Sequence, residues 1–202
     1  MSDNDAQGVD IAVNTGDFSQ PMAAWYAKKM GLPVGTIICS CNDNCAVWDL
    51  LRRGECATGT AVIPTELPEL DFALPECVEM LIAETLGCDE VQKYLQAVEK
   101  KATYRIDEEM LAQFNAGLVC VVVSQSRIPA TLRSLYRANA YIADSYSALS
   151  FGGLQDHRAS SGESRSTVLF SDYCPVLAGS KVAKAIGITN EALILHINSP
   201  KE

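Results

Sequence analysis

The apolar positions fall into short blocks of changing period. Val9, Ile11 and Val13 alternate and then stop at Gly16, the pattern of a strand over 9–14. Pro21 suits the first helical position, and Gly31 with Pro33 ends the segment, so 21–30 is expected to be a helix. "GTIICSC" (35–41) is rich in β-branched residues and predicts a second buried strand. In 42–55, Asn42 stands as a cap, Val47, Leu50 and Leu51 form an apolar face, and Gly54 is a stop. Strand, helix, strand and helix with short joints indicate a parallel sheet covered by helices.

The middle changes character. Residues 63–76 carry three prolines and several acids and predict a loop. Helical periods follow over 75–87 and 89–101, and a third helix is expected over 107–115, so that about 75–115 forms a helical insertion. "GLVCVVVS" (117–124) is the strongest strand signal. A helix is expected over 128–141, and another opens at Asp144. Residues 156–166 predict a polar loop, 167–171 a strand, 175–187 a helix, and "ALILHI" (192–197) a last strand. Residues 1–8 predict a flexible tail, and 9–202 a single α/β domain.

Composition narrows the picture. The 202 residues suffice for one domain of ordinary size, and 48% hydrophobic with 20% charged residues allows a packed core. A net charge of −9 argues against a nucleic-acid footprint or a polybasic membrane contact. No apolar run approaches a membrane span, and the polar, acidic start is neither a signal peptide nor a presequence, so a cytoplasmic location is expected. Eight cysteines are present. Cys39, Cys41 and Cys45 are close together, but no second C-x-x-C pair or nearby histidine completes a zinc site. No Walker-type lysine follows the glycine turn, and His157 and His196 lie in no serine–histidine–acid set.

The turn between the first strand and helix is the main candidate for chemistry. A glycine turn running into a helix N-terminus presents free backbone N–H groups to an anion. It can equally be an ordinary connection capped by Asp17 or Ser19.

Three stretches resemble threonine synthase, a pyridoxal-phosphate enzyme of fold type II. "NTGDFSQPMAAWYAKKMGLP" (14–33) is similar to the family's "PTGNFGN…AGYYAKKMGLP". "CSCNDNCAVWDLLRRGEC" (39–56) resembles "ATNENDVL…FLRTGEY", and "TLRSLYRANAYIADSYSALS" (131–150) resembles "TLATIRKVYEEYGYLLDPHTAVA". "SDYCPVLAGSKVAKAIG" (171–187) echoes "TAHPAKFPEAV". The resemblance runs from about residue 9 to about residue 187. It implies the C-terminal portion of the family's α/β fold: a mostly parallel sheet with flanking helices.

The resemblance also implies site residues. Gly16, Asp17, Phe18, Ser19 and Gln20 would hold the phosphate of pyridoxal phosphate. Either Ser171 or Asp172, depending on a one-residue shift, would face its pyridine nitrogen. The chain departs from the family at Asp17 (Asn there), at Ser19 (Gly there), in two lost histidines, and in the stretch 64–81 that replaces one wall. The family's Schiff-base lysine stands in a "SFKD"-like context with no counterpart here, and the lysines present read as surface residues. The resemblance therefore implies a threonine synthase-like protein that converts O-phosphohomoserine to threonine and phosphate only with a lysine-bearing partner chain. No catalytic residue is assigned to this chain alone. The other expectation is a non-catalytic relic that binds phosphate, a phosphorylated metabolite or another protein. An uncovered sheet edge would favour a homo-oligomer or complex.

Overall fold

The computed structural model describes residues 8–115, 117–171 and 173–199. Strand β1 (Val9–Asn14) leads through helix α1 (Ser19–Lys29) to β2 (Val34–Cys41). Next come α2 (Ala46–Arg53), β3 (Glu55–Ala57), α3 (Val78–Leu86), α4 (Cys88–Glu99), β4 (Thr103–Arg105) and α5 (Glu108–Phe114). Strand β5 (Leu118–Val122) is followed by α6 (Ile128–Asn139), α7 (Ser145–Ser161), β6 (Thr167–Leu169), α8 (Gly179–Ile186) and α9 (Asn190–Asn198).

The main sheet has the order β5-β2-β1-β6, and every neighbouring pair is parallel. Alternate residues serve opposite faces, as the two-residue strand period requires. Val13, Ile37 and Cys39 join Met22 and Trp25 of α1 and Leu50 of α2 in one core, which α3 and α4 extend with Leu81, Ile82 and Tyr94. Ala12 and Ile38 point the other way, onto Leu154 of α7. A further core gathers Leu132, Leu149, Val182 and Leu193 from α6, α7, α8 and α9.

The connectivity places a crevice. From β1 the chain steps to β2 and β5 on one side, then returns past α6 and α7 to β6 on the other side of β1. The order reverses between β1 and β6. In open parallel sheets, ligands bind beyond the carboxyl ends of the strands at such a reversal. The described residues found there are Thr15–Gln20, Ser171 and Tyr173.

Several expectations need correction. "ALILHI" is not a strand but most of α9. Thr189 caps it by accepting from the N–H of Ala192 at 3.1 Å, and Leu193 alone is fully buried, while Leu195 is 69% exposed. The polar stretch 156–166 is helical as far as Ser161, where Gly162 ends α7 in a left-handed conformation (φ 74°). Asn42 does not cap α2, whose N-cap is Cys45. The small antiparallel pair of β3 with β4, Cys56 opposite Tyr104, lay outside the sequence expectation. Of the expected tail, residues 1–7 lie outside the described residues.

Candidate functional site

Strand β1 ends at Asn14, and the chain turns at once. Gly16 has φ 44° and Phe18 φ 72°, both in the left-handed region. A Cβ on Gly16 would meet Asn14 Oδ1 at 3.2 Å, so glycine serves both the torsion and the close approach. Phe18 tolerates its strained backbone because its side chain is completely buried in the core under α1, and its N–H donates to the Thr15 carbonyl at 2.6 Å. Burial of that ring fixes the turn that starts α1.

The N–H groups of Gly16, Asp17 and Gln20 have no acceptor among the described residues. They open into a cavity of about 230 Å³ lined by Asn14, Thr15, Gly16, Asp17, Ser19, Gln20, Glu69, Phe72 and Tyr173. Helix α1 adds the positive end of its dipole to these donors. The donor set therefore fits an oxyanion such as a phosphate group. Asp17 meets it partway: its carboxylate turns back along the helix start and accepts from the Ser19 N–H (2.9 Å) and Oγ (2.5 Å). That internal anion uses one helix-terminal donor and stands close to any external one.

Of the residues singled out from sequence, Gly16, Asp17, Ser19 and Gln20 line this cavity, while Phe18 is the buried anchor beneath it. Ser171 sits at the end of β6, and its hydroxyl donates to Asp144 Oδ2 at 3.2 Å. Its oxygen lone pairs stay available as acceptors. Asp144 is 3% exposed and caps α7, accepting from the Tyr146 and Ser147 N–H groups at 2.8 and 2.9 Å and from the Ser147 hydroxyl. Asp172 lies outside the described residues.

Glu69, Phe72 and Tyr173 were not foreseen. Glu69 and Phe72 come from the proline-rich stretch 64–81, which the resemblance places at one wall of the site without singling out either residue. Tyr173 stacks on Tyr146 with ring centroids 4.0 Å apart. Among the described residues no lysine lines the cavity: Lys28 donates to the Gly35 carbonyl, and Lys29 lies 4.8 Å over the Trp25 ring. His157 is buried on α7, away from the turn, and lines a larger cavity of about 580 Å³ beside β5. That cavity is bigger than the one at the turn, but it has no helix N-terminus and lies away from the β1/β6 reversal. Among the described residues, no group of histidine, cysteine and carboxylate side chains could hold a metal ion. None of the described helices is long and apolar enough to cross a membrane.

No protein family model matches the chain. Human threonine synthase-like 1 is 24% identical over 198 residues, covering 95% of this chain and 26% of that protein. Threonine synthase from Saccharomyces cerevisiae is 22% identical over 160 residues, covering 72% of this chain and 31% of the relative. The crystal structure of threonine synthase from Brucella melitensis with bound pyridoxal phosphate superposes with a TM-score of 0.81 at 25% identity, over 91% of this chain and 39% of that one. The yeast threonine synthase structure shares the fold, with a TM-score of 0.79 over 96% of this chain and 41% of that one. The chain thus spans between about a quarter and two fifths of the length of these relatives. In sequence and in fold it is similar to the C-terminal part of threonine synthases and of threonine synthase-like proteins.

Proposed function

We propose that this chain supplies the phosphate-binding side of a threonine synthase-like, pyridoxal-phosphate-dependent site, and that a lysine-bearing portion outside the matched segment completes it. The free N–H groups of Gly16, Asp17 and Gln20, placed at the sheet's reversal, are the observation that carries this reading. Pyridoxal phosphate, when bound, supplies an electron sink for reactions next to an amino-acid carbon. The chain's own residues do the rest. The turn holds the phosphate, α1 stabilises its charge, and buried Phe18 keeps the donors in place. Ser171, its proton committed to Asp144, offers an acceptor at the end of β6. In the completed site the reaction would be conversion of O-phosphohomoserine and water to threonine and phosphate. A cytoplasmic location is part of the same proposal.

Among the described residues no strand pairs with the outer edge of β5, which supports assembly with a partner chain or a second copy. Residues 117 and 123 bond inward to β2, so by the two-residue period Cys120 and Val122 turn their backbone groups outward.

Among the described residues, two acidic residues, Asp17 and Glu69, and no lysine, arginine or histidine line the cavity. That observation favours a second reading, a non-catalytic binder of phosphorylated metabolites. Titration with pyridoxal phosphate, then borohydride reduction and intact mass, separates the two. Phosphate-competed binding without a covalent adduct is expected of this chain alone, and an adduct is expected only after a lysine-bearing partner is added. Absence of any phosphate-competed binding would remove the cofactor reading.

A further inference from the structure

The loop between β3 and α3 crosses the carboxyl ends of the strands as a strap tied at several points. Leu67 and Leu70, at 1% and 2% exposure, sink into the core beside α6 and α8. The Gln125 side chain accepts from the Glu66 N–H at 2.7 Å. At the far end, the Cys77 N–H donates to the carbonyl of Asp17, inside the phosphate turn, at 3.0 Å.

The central tie is Asp71. Its Oδ1 accepts from Asn42 Nδ2 (2.8 Å), Asn44 Nδ2 (3.0 Å) and Thr65 Oγ1 (2.7 Å), and its Oδ2 accepts from the Thr65 N–H (2.7 Å). Asn42 is completely buried at the end of β2. Asn44 closes a second link, exchanging hydrogen bonds with the backbone of Ile63 at 2.8 and 2.9 Å. The "NDN" run is therefore a strap anchor. Two residues before Asp71 stands Glu69, and one after it Phe72; both line the cavity at the turn, and Asp71 does not.

The geometry points to Glu69 as a specificity-determining residue that disfavours a free anion at the turn, and to Asp71 as the positioning residue that holds it there. This rests on the phosphate-binding reading of the turn. Glu69 brings a second carboxylate to a cavity whose described lining has no lysine, arginine or histidine, so it raises the cost of every extra negative charge on a ligand. A ligand whose phosphate reaches the N–H groups and whose other end is neutral or cationic avoids that cost. Inorganic phosphate, with all its charge in one group, does not. Asp71 acts only through the strap. All four of its partners donate to it, so an amide in either orientation sets its NH₂ against donors and loosens the tie.

The test is a double-mutant cycle read by titrating inorganic phosphate against the amide resonances of Gly16, Asp17 and Gln20. Glu69→Gln is expected to tighten phosphate binding about two- to fivefold, the range of an exposed charge interaction. Asp71→Asn is expected to do nearly the same, with faster amide exchange over 63–72 and unchanged exchange in α3. The double variant should bind no tighter than Glu69→Gln alone, because Asp71 has no further effect once the Glu69 charge is gone. An Asp71→Asn effect that persists in full in the Glu69→Gln background would make Asp71 merely structural and overturn its role. Unchanged affinity in Glu69→Gln, with the wild type binding at the turn, would overturn the specificity claim alone. Absence of binding at the turn in the wild type would overturn the phosphate reading itself, and this inference with it.

Discussion

Replacing Asp144 should cost more than an ordinary helix cap. The side chain is 3% exposed and accepts four hydrogen bonds: two from the first turn of α7, one from Ser147 and one from Ser171. Loss of a cap costs about 0.5–2 kcal/mol. Acceptance by a charged group is worth about 1.5–3 kcal/mol, although the two hydroxyls can turn to other partners and recover part of that. The balance for Asp144→Ala is about 3 kcal/mol. In a chain of this size about 1 kcal/mol moves Tm by 2–4 °C, so Asp144→Ala should lower Tm by about 6–12 °C. Asp144→Asn keeps one oxygen for the two N–H groups and presents an NH₂ to which the hydroxyls can turn as acceptors, so a fall of about 2–5 °C is expected. Thermal unfolding followed by circular dichroism, with urea midpoints as a check, measures both. A change under about 2 °C for Asp144→Ala would refute the view that this carboxylate holds the junction of α7 with the end of β6. Equal losses for the two variants would refute the division between backbone and hydroxyl partners.

Other consequences can be checked in parallel. Gly153→Ala would set a Cβ 2.0 Å from Ser40 Oγ where α7 lies on β2, so a loss of about 1–3 kcal/mol by urea denaturation is expected, partly rescued by Ser40→Ala. Burial pushes the Cys39 and Cys56 thiols up, Cys56 to about 11, while the Cys41 thiol is raised first by its contact with Cys120 and then by burial. Iodoacetamide at mildly alkaline pH should therefore modify the exposed Cys88 and Cys174 first and reach Cys39, Cys41 and Cys56 only on unfolding, as peptide mapping would show. Arg165 beside Glu163 lowers that carboxyl below its ordinary 4.5. A depressed folded-state value means that the stabilisation is present above about pH 4.5 and lost as pH falls through the lower folded value. Glu163→Gln should therefore flatten the acid limb by removing that stabilisation above about pH 4.5, and leave stability below the folded value nearly unchanged.

Much of this architecture is legible along the chain because local signals agree with tertiary ones. β1 and β2 combine β-branched residues with burial, β5 keeps the β-branched run with only Leu118 buried, and Gly54 ends α2 where expected, while α1 starts at Ser19, two residues before Pro21. The misread segments are those where one burial pattern serves two structures. "ALILHI" is too short for its period to separate strand from helix, and its cap, Thr189, is a weak local signal beside the β-branched residues that follow. The last turns of α7 look like a loop because they show the core only Leu154 and His157, one helical step apart. At the site, the turn is readable since Gly16 and the start of α1 are contiguous. Of its opposite wall only the stretch 64–81 is indicated, by resemblance; the residues Glu69, Phe72 and Tyr173 are not, because they arrive through long-range ties such as Asp71 with Asn42. Those ties join residues 29 apart in sequence and leave no periodic trace.

The most direct measurement is an amide chemical-shift titration of the isotopically labelled chain with inorganic phosphate, repeated with pyridoxal phosphate. Saturable shifts centred on Gly16, Asp17 and Gln20, shared by both ligands and weakened by Gly16→Ala, are the expected result. Shifts elsewhere, or none at these amides up to tens of millimolar phosphate, would contradict the assignment of this turn as the anion-binding side of the site.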